Sequence, residues 1–171
     1  MTYNSDHVNT KLIDPNNRSR KAQVGVDLTV LKIEEIKPEV ESISGLNTVI
    51  RLDENSKLQG VRYVEAGRYG NEYNLNPNTS YAVTFEQGLT KLNNNEWAEI
   101  TQRSSLNRAG VKVQGSIYDP GFYCDNLGAT IYTSNNSIKI PIGARIAQIL
   151  IPECEDTTNA YNGRWQGKAN G

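Results

Sequence analysis

Two arginines and two serines lie close together in the second half of the chain, and these residue types bind anions. The run reads Arg103-Ser104-Ser105-Leu106-Asn107-Arg108-Ala109-Gly110. Glycine commonly follows a helix end because it adopts the left-handed conformation without a Cβ penalty. The first turn of a helix offers unpaired N–H groups to an anion, and arginine adds two-pronged hydrogen bonds to phosphate. The run therefore predicts one short helical turn near 104–109 that binds phosphate. A serine-capped connector with solvated arginines is the alternative.

A second candidate for chemistry is Asp119, which begins the sequence Asp119-Pro120-Gly121. Proline fixes φ and glycine permits positive φ, so these residues predict a tight turn at the end of a strand. A carboxylate is ionised at neutral pH and can hold and polarise a water molecule. Asp119 is therefore the candidate general base, and a plain turn-forming aspartate is the alternative.

Several common active sites are excluded by missing residues. His7 is the single histidine, and it lies in a polar N-terminal segment, which argues against a histidine-activated nucleophile or histidine-ligated zinc. No GxGxxG follows a strand and no P-loop motif occurs. Cys124 and Cys154 match no metal motif and are too few for a disulfide framework, so we expect free thiols. An enzyme with this sequence would work through carboxylates, arginines, hydroxyls and backbone groups.

Composition points to a cytoplasmic protein, or one in the host cytoplasm if it is viral. The chain has 171 residues and a net charge of −1, without a Lys/Arg-rich run, which argues against nucleic-acid or membrane-surface binding. No apolar run approaches the roughly 20 residues that cross a bilayer. Residues 1–20 lack the apolar core of a signal peptide.

Short alternating segments separated by turn residues predict an all-β, single-domain distorted β-barrel or jelly roll. Residues 1–20 give no period and are expected to form an arm or loop. The β domain then covers 21–152, and 153–171 form a polar, glycine-rich tail. Within the first strand, Val24, Val26, Leu28 and Val30 alternate with Asp27, which is expected to face water. Predicted strands include 61–65, 81–86, 111–118, 127–132, 138–141 and 146–151.

The order of these motifs resembles the superfamily of trimeric β-roll enzymes that contains the dUTPases and dCTP deaminases. The resemblance covers roughly Gln23 to Gly167. It includes a Gly-x-Asp-Leu strand, Arg-Ser-Ser-Leu-x-Arg, Asp-Pro-Gly-Phe, Gly-x-Arg-Ile-Ala-Gln and a glycine-rich aromatic tail. The arginine–serine run, the Asp-Pro-Gly-Phe turn and the tail are spelled like the deaminase and bifunctional branch, whereas Gly143 to Gln148 are spelled like dUTPases. The implied fold is the dUTPase-like β-clip.

One departure from the resemblance decides the expected reaction. Deaminases of this superfamily carry a glutamate in the strand after Asp-Pro-Gly-Trp, where it activates the attacking water. That place falls on Ala129, or on Thr130 if the loop holds one extra residue, and neither can act as a base. Glu153 and Glu155 lie outside the matching strand. Deamination is therefore disfavoured, because loss of a general base costs roughly 10²–10⁴-fold in rate.

The resemblance implies a dUTP diphosphatase that uses Mg²⁺ and forms homotrimers with active sites shared between subunits. Asp119 would orient the water, and Asp27 would reach the hydration shell of Mg²⁺ indirectly. Phosphate would be bound by Arg103, Ser104, Ser105 and Arg108, with Gln148 contributed by another subunit. The segment Gly115 to Phe122 would read the base, with Tyr118 or Phe122 on the deoxyribose. The mobile tail would close over the nucleotide through Tyr161, Arg164, Trp165 and Gln166.

Two alternatives remain open at this point. The first is a dCTP deaminase, or a dCTP-cleaving relative, whose base comes from an unexpected place. The loop Tyr123 to Asn126 keeps this alternative open, because it departs from the family pattern and leaves uracil or cytosine specificity undecided. The second is a nucleotide-binding regulatory protein on the same scaffold. A regulatory protein partner is compatible with either enzyme.

Overall fold

The computed structural model describes residues 1–39, 49–157 and 167, and it is built mainly from short antiparallel strands. This confirms the predicted all-β class. The first eight strands are β1 (Leu12–Ile13), β2 (Arg20–Lys21), β3 (Val26–Pro38), β4 (Arg51–Leu52), β5 (Leu58–Gln59), β6 (Val61–Glu65), β7 (Arg68–Tyr69) and β8 (Glu72–Leu75). The others are β9 (Ser80–Phe85), β10 (Gly88–Leu89), β11 (Ala98–Gln102), β12 (Lys112–Gln114), β13 (Ile117–Tyr118), β14 (Gly128–Tyr132), β15 (Ile138–Pro141) and β16 (Arg145–Leu150). The described helices are α1 (Ser5–Lys11) and α2 (Ser105–Arg108).

One curled sheet contains most of the strands that position the candidate site residues. Its main path runs β12-β14-β9-β3-β16-β11-β13, and β2 and β6 also pair with β3. Smaller sheets are formed by β15-β8-β7, β1-β10 and β4-β5. The described strand pairs are antiparallel, both between neighbouring strands such as β7 and β8 and between strands distant in the chain such as β3 and β16.

Strand β3 holds the two halves of this sheet together. Its first part pairs with β16, its middle with β9 and its last part with β6. Register shifts occur beside Val30 and beside Arg145, and such irregularities bend a strand and increase its twist. All residues from Val26 to Val30 are buried, on both faces of the strand. Asp27 is thus buried, and the prediction that it faces water is wrong.

The core lies inside the curl of the sheet. Its largest fully buried side chains come from strands or adjacent loops and include Tyr73, Tyr81, Phe85, Leu28, Ile33, Leu75, Leu89, Leu92, Leu127, Ile131, Ile149 and Ile151. β-Branched and aromatic residues fit a pleated surface that is buried on one side, which explains why these segments form strands. Cys124 and Cys154 are free thiols, as predicted.

The N-terminal segment contains helix α1, which the prediction of an arm or loop missed. Asn4 caps the helix by accepting a hydrogen bond from the His7 N–H group at 3.2 Å. Val8 is fully buried, and the Nε2 atom of His7 lies 2.9 Å from the carboxylate of Glu96. His7 is therefore anchored to the β domain, although the segment around it is polar. A seven-residue helix with one buried apolar residue is too short to show a hydrophobic period.

The predicted strand over 111–118 is interrupted at Gly115. Residues before the glycine pair with β14, whereas residues after it pair with β11, so the chain crosses here from one part of the sheet to another. A Cβ atom on Gly115 would lie 2.1 Å from the carbonyl oxygen of Ile100. Only glycine permits this close approach of two backbone segments. By contrast, the predicted strands 61–65 and 138–141 have the observed bounds.

Candidate active site

A concave pocket of about 520 Å³ opens beside the crossing at Gly115. One wall is the segment from β12 to the turn at Asp119, and Phe122 lies behind it. The lining also includes Ala82 and Thr130 from the adjoining strands. Pockets of this size hold small organic ligands, and this pocket contains Asp119, Tyr118 and Phe122 from the predicted site.

Asp119 occupies the exposed corner of a tight turn. The N–H group of Phe122 donates to the carbonyl oxygen of Asp119 at 3.1 Å, and Gly121 has a φ of +87°. Proline at the second position and a positive φ at the third correspond to a type II turn. The turn that the Asp-Pro-Gly sequence predicts is confirmed. It holds the Asp119 carboxylate at the edge of the pocket, where the carboxylate can contact water and ligand.

Tyr118 and Phe122 form a buried aromatic pair behind Asp119. Their ring centroids are 4.8 Å apart, and the Tyr118 hydroxyl donates to the carbonyl oxygen of Gly128 at 3.3 Å. Burial raises the pKa of Tyr118, so the phenol stays protonated and remains a hydrogen-bond donor. The pair supports the turn and gives the pocket an apolar wall, against which a sugar ring can pack.

The arginine–serine run forms the predicted helical turn. Helix α2 covers Ser105–Arg108, and Gly110 has a φ of +73° just beyond its end. Ser104 occupies the N-cap position but makes no capping hydrogen bond through its side chain. Ser104, Ser105 and Arg108 are exposed to solvent. Their hydroxyl and guanidinium groups are therefore accessible to an anion.

Arg103 is held in place by a buried carboxylate. Its Nε atom lies 3.6 Å from Oδ2 of Asp27, and its Nη1 donates to the carbonyl oxygen of Arg145 at 3.2 Å. The Nε atom of Arg145 lies 3.8 Å from the same Asp27 oxygen. Asp27 therefore bridges two guanidinium groups. No group of three or more histidine, cysteine or acidic residues able to hold a metal ion occurs in residues 1–39, 49–157 and 167.

Gln148 lies in the same part of the sheet as Arg103. It is opposite Asp27 on β3 and opposite Thr101 on β11. Its side-chain oxygen lies 2.7 Å from the place where a Cβ atom of Gly25 would be, so Gly25 provides the space for this side chain. One cluster therefore contains Arg103, Asp27 and Gln148. These three residues and helix α2 are called the arginine cluster below.

The pocket and the arginine cluster are far apart within one chain. Ala98 on β11 lies opposite Tyr118 on β13. From this pair, Arg103 lies five residues away in one direction and Asp119 lies one residue away in the opposite direction. At about 3.3 Å per residue, Arg103 and Asp119 are separated by roughly 20 Å along the strands. None of the predicted phosphate-binding residues, all of which are described, lines the pocket. A single chain does not bring these two groups to one nucleotide.

The resemblance assigns the deaminase glutamate to Ala129 or to Thr130, which are neighbours on β14 and both line the pocket. Ala129 also packs against the core, and Thr130 projects from the other face of the strand. Thr130 is also opposite Gln114 and Ala82, which both line the pocket. Neither of the two places holds a carboxylate.

Sequence reasoning missed Glu34, whose side chain also lines the pocket. The residue lies in the long strand β3, opposite Ala82. Charged residues alternate with apolar ones throughout this region, and nothing distinguishes Glu34 from its neighbours before the pairing of β3 with β9 is known.

The four residues predicted to contact the nucleotide from the tail lie outside the described residues: Tyr161, Arg164, Trp165 and Gln166. Gly167 is described, and its N–H group donates to the carbonyl oxygen of Tyr123 at 2.8 Å. Tyr123 directly follows Phe122, so Gly167 lies next to the turn that carries Asp119. Elsewhere, no helix in the described ranges is long and apolar enough to cross a membrane.

Comparisons with known proteins agree with the motif order. The dCTP deaminase-like family matches residues 4–154. The chain is 27% identical over 146 residues to the deoxyuridine 5′-triphosphate nucleotidohydrolase of Methanocaldococcus jannaschii, covering 85% of this chain and 86% of the relative. The family match includes the pocket and the arginine cluster.

Solved structures share the fold at low sequence identity. The 2′-deoxycytidine 5′-triphosphate deaminase from Agrobacterium tumefaciens has a TM-score of 0.64 and 16% identity, and the match covers 88% of this chain but only 46% of the deaminase. A mutant dUTPase of Staphylococcus bacteriophage 80alpha, solved with dUpNHpp, has a TM-score of 0.52 and 12% identity. That match covers 90% of this chain and 95% of the phage enzyme.

Proposed function

This chain belongs to the dCTP deaminase-like family within the superfamily of dUTPases and dCTP deaminases, and we propose that it is a dUTP diphosphatase. It would hydrolyse dUTP to dUMP and pyrophosphate. The observation that carries the proposal is that the pocket contains Asp119 at its turn, whereas neither Ala129 nor Thr130, which also line it, offers a carboxylate. The similarity to the Methanocaldococcus nucleotidohydrolase supports the same choice.

The hydrolytic step needs one positioned carboxylate. Asp119 accepts a proton from a water molecule as the water oxygen attacks the α-phosphorus in line with the leaving group. The bond between the α-phosphorus and the bridging oxygen breaks, and pyrophosphate leaves with the electron pair. The exposed corner of the turn gives the carboxylate access to both the water and the nucleotide.

Charge on the triphosphate would be neutralised by the arginine cluster of a second subunit. Arg103 and Arg108 supply guanidinium groups, Ser104 and Ser105 supply hydroxyl and N–H donors, and Gln148 lies beside Arg103. Within one chain the cluster and the pocket are roughly 20 Å apart. In a homo-oligomer, the cluster of one subunit can lie beside the pocket of the next subunit, so that both contact one nucleotide. The superfamily resemblance makes a homotrimer the proposed assembly.

We further propose that Mg²⁺ accompanies the triphosphate. The ion prefers phosphate and water oxygens, and it usually takes only one or two protein carboxylates. Asp27 fits a role in its outer shell poorly, because its carboxylate already faces Arg103 and Arg145. The triphosphate itself would therefore supply most of the ligands, and the ion would neutralise charge on the leaving pyrophosphate.

The base and sugar would be bound around the crossing at Gly115. Backbone groups there read the base edge, while Tyr118 and Phe122 provide the apolar wall for deoxyribose. The superfamily resemblance alone assigns nucleotide contacts to Tyr161, Arg164, Trp165 and Gln166. The proposed dUTP diphosphatase activity does not depend on these base, sugar and tail contacts.

A dCTP deaminase is the second candidate, and the dCTP deaminase-like family match and the fold shared with the Agrobacterium deaminase favour it. The absence of a carboxylate at Ala129 and Thr130 argues against it, since neither side chain is an effective base for activating water. A regulatory protein on the same scaffold is the third candidate. The phage 80alpha dUTPases, described as controlling the transfer of virulence genes, provide the precedent for this role.

The test is to incubate the protein and its Asp119→Asn variant with Mg²⁺ and each deoxynucleoside triphosphate in turn. We expect pyrophosphate and dUMP from dUTP without ammonia, and a rate at least about 10²-fold lower in the variant. Asp125→Asn is the matched control, because this exposed aspartate lies in the next loop and outside the pocket lining. Ammonia from dCTP would establish the deaminase instead. Nucleotide binding without turnover would favour the regulatory protein.

A further inference from the structure

Glu34 is an unassigned carboxylate in the wall of the proposed nucleotide pocket. It belongs to a row of residues that lie opposite one another on adjacent strands: Gln114, Thr130, Ala82 and Glu34. Residues that are directly opposite in antiparallel strands share a face of the sheet, and all four line the pocket. Because Ala82 is small, the space above it is shared by Thr130 and Glu34.

We propose that Glu34 accepts a hydrogen bond from an N–H group on the edge of the bound pyrimidine and so helps to select the base. This inference rests on the proposed function, because it assumes that the pocket takes a pyrimidine deoxynucleotide. Two strand spacings of about 4.8 Å separate Glu34 from Thr130. A flat base that contacts both strands fits this distance.

The surroundings of Glu34 leave its oxygens able to accept further hydrogen bonds. Its Oε1 lies 3.5 Å from Nζ of Lys32, longer than the roughly 2.7–2.9 Å of a charge-assisted hydrogen bond. The Glu34 side chain is 20% exposed. An ionised carboxylate offers about four acceptor positions. The Lys32 ammonium therefore leaves several of these positions open to a ligand.

The chemistry of a carboxylate restricts which base atoms it can face. It accepts hydrogen bonds and repels carbonyl oxygens, so it fits the ring N–H of uracil or the exocyclic amino group of cytosine. Ala82 and Ile117 add apolar surface to the lining of the pocket. A base N–H group that is buried in this pocket without an acceptor would lose binding free energy. Glu34 supplies the acceptor, so a base whose edge carries an N–H group beside Glu34 avoids this loss.

The test compares Glu34→Gln with Glu65→Gln in steady-state cleavage of dUTP and dCTP. Glu65 lies opposite Glu34 on β6, is paired with Arg68 at 3.5 Å and does not line the pocket, so it is a matched control. We expect Glu34→Gln to raise KM for the preferred nucleotide about tenfold or more, with kcat within about twofold. The ratio of kcat/KM between the preferred nucleotide and the other one should fall, and Glu65→Gln should leave it unchanged.

A higher KM for dUTP would identify the hydrogen-bond donor as the uracil ring N–H group. A higher KM for dCTP would identify it as the cytosine amino group. Glu34→Asp keeps the charge and provides a second variant, with an expected intermediate KM. Thermal unfolding must match that of the unmodified protein for each variant that is used.

Three outcomes would overturn the inference: equal effects of Glu34→Gln and Glu65→Gln, a fall in kcat without a change in KM, or loss of an ammonia-releasing activity in Glu34→Gln. The last two would assign Glu34 to the reaction rather than to base selection. If the unmodified protein cleaves dUTP while Glu34→Gln behaves like its control, only this inference fails. If the unmodified protein neither binds nor cleaves pyrimidine nucleotides, the proposed function fails first.

Discussion

Glu96 is a fully buried carboxylate that connects the N-terminal helix to the β domain. It accepts hydrogen bonds from the N–H group of Asn93 at 2.8 Å and from His7 at 2.9 Å, and Lys11 Nζ lies 2.9 Å away. Burial alone raises the pKa of Glu96, but these donors outweigh burial and hold the pKa below its ordinary value. The ionised form is therefore the one that stabilises the fold.

We predict that this cluster makes the protein sensitive to acid. A depressed carboxyl pKa contributes stability above the unfolded pKa of about 4.3, and this stability is lost as the pH falls through the lower folded pKa. Glu96→Gln should lower the free energy of unfolding at pH 7 by about 3 kcal/mol and flatten its dependence between about pH 5 and 3. Urea unfolding at several pH values measures both. Glu155→Gln is the exposed control, and equal stability of Glu96→Gln and the unmodified protein would contradict this account.

Asp27 offers a second prediction at the scale of the residue. If it orients Arg103 through their 3.6 Å contact, Asp27→Asn should raise KM for the nucleotide about tenfold while the Mg²⁺ concentration for half-maximal activity stays the same. If it holds the hydration shell of Mg²⁺, that concentration should rise instead. Magnesium titrations of Asp27→Asn and of the exposed control Asp156→Asn distinguish the two roles.

Among the elements, those with strong local patterns were predicted well. The β-branched and aromatic runs indicated the strands around Val61, Tyr81 and Ile138, and Gly110 indicated the end of α2. Helix α1 and the break at Gly115 were not predicted. Helix α1 depends on a cap at Asn4 and on the distant partner Glu96, and the break depends on Ile100. Neither distant partner is visible in the local sequence.

The crossing at Gly115 leads to a prediction about how elements shape the pocket. Gly115→Ala would place a Cβ atom 2.1 Å from the Ile100 carbonyl oxygen, so the backbone between β12 and β13 must shift. We expect a loss of about 1–3 kcal/mol in the free energy of unfolding, together with a higher KM, because both flanking residues line the pocket. Gly67→Ala is the control, since its Cβ would meet no atom within 4 Å. Similar unfolding midpoints for the two variants would contradict the close approach.

At the scale of the whole molecule, the motifs identified the candidate site residues but not which of them lie close together within one chain. The resemblance placed Asp119 and Arg103 at one active site and assigned Gln148 to another subunit. The register of β11 and β13 holds Asp119 and Arg103 at opposite ends of a strand pair in one chain, and Gln148 lies near Arg103 instead. Glu34 was missed for a related reason. Its place in the pocket depends on the pairing of β3 with β9, which joins segments distant in the sequence.

A shared site makes a prediction that no single variant tests. Asp119→Asn and Arg103→Ala should each be inactive alone, because every site in either homo-oligomer lacks one group. When the two variants are co-expressed, each mixed trimer contains one interface that combines Asp119 of one subunit with Arg103 of its neighbour. Activity of the mixed trimers should therefore recover to about a third of that of the unmodified protein.

Separately tagged chains, purified in tandem, supply the mixed trimers, and each variant mixed with itself is the control. The self-mixed controls should remain inactive, because no pairing of identical chains restores both groups at one interface. Absence of recovery in the mixed trimers would mean that both groups act within one chain. The roughly 20 Å between them would then require a rearrangement of β11 and β13 on nucleotide binding.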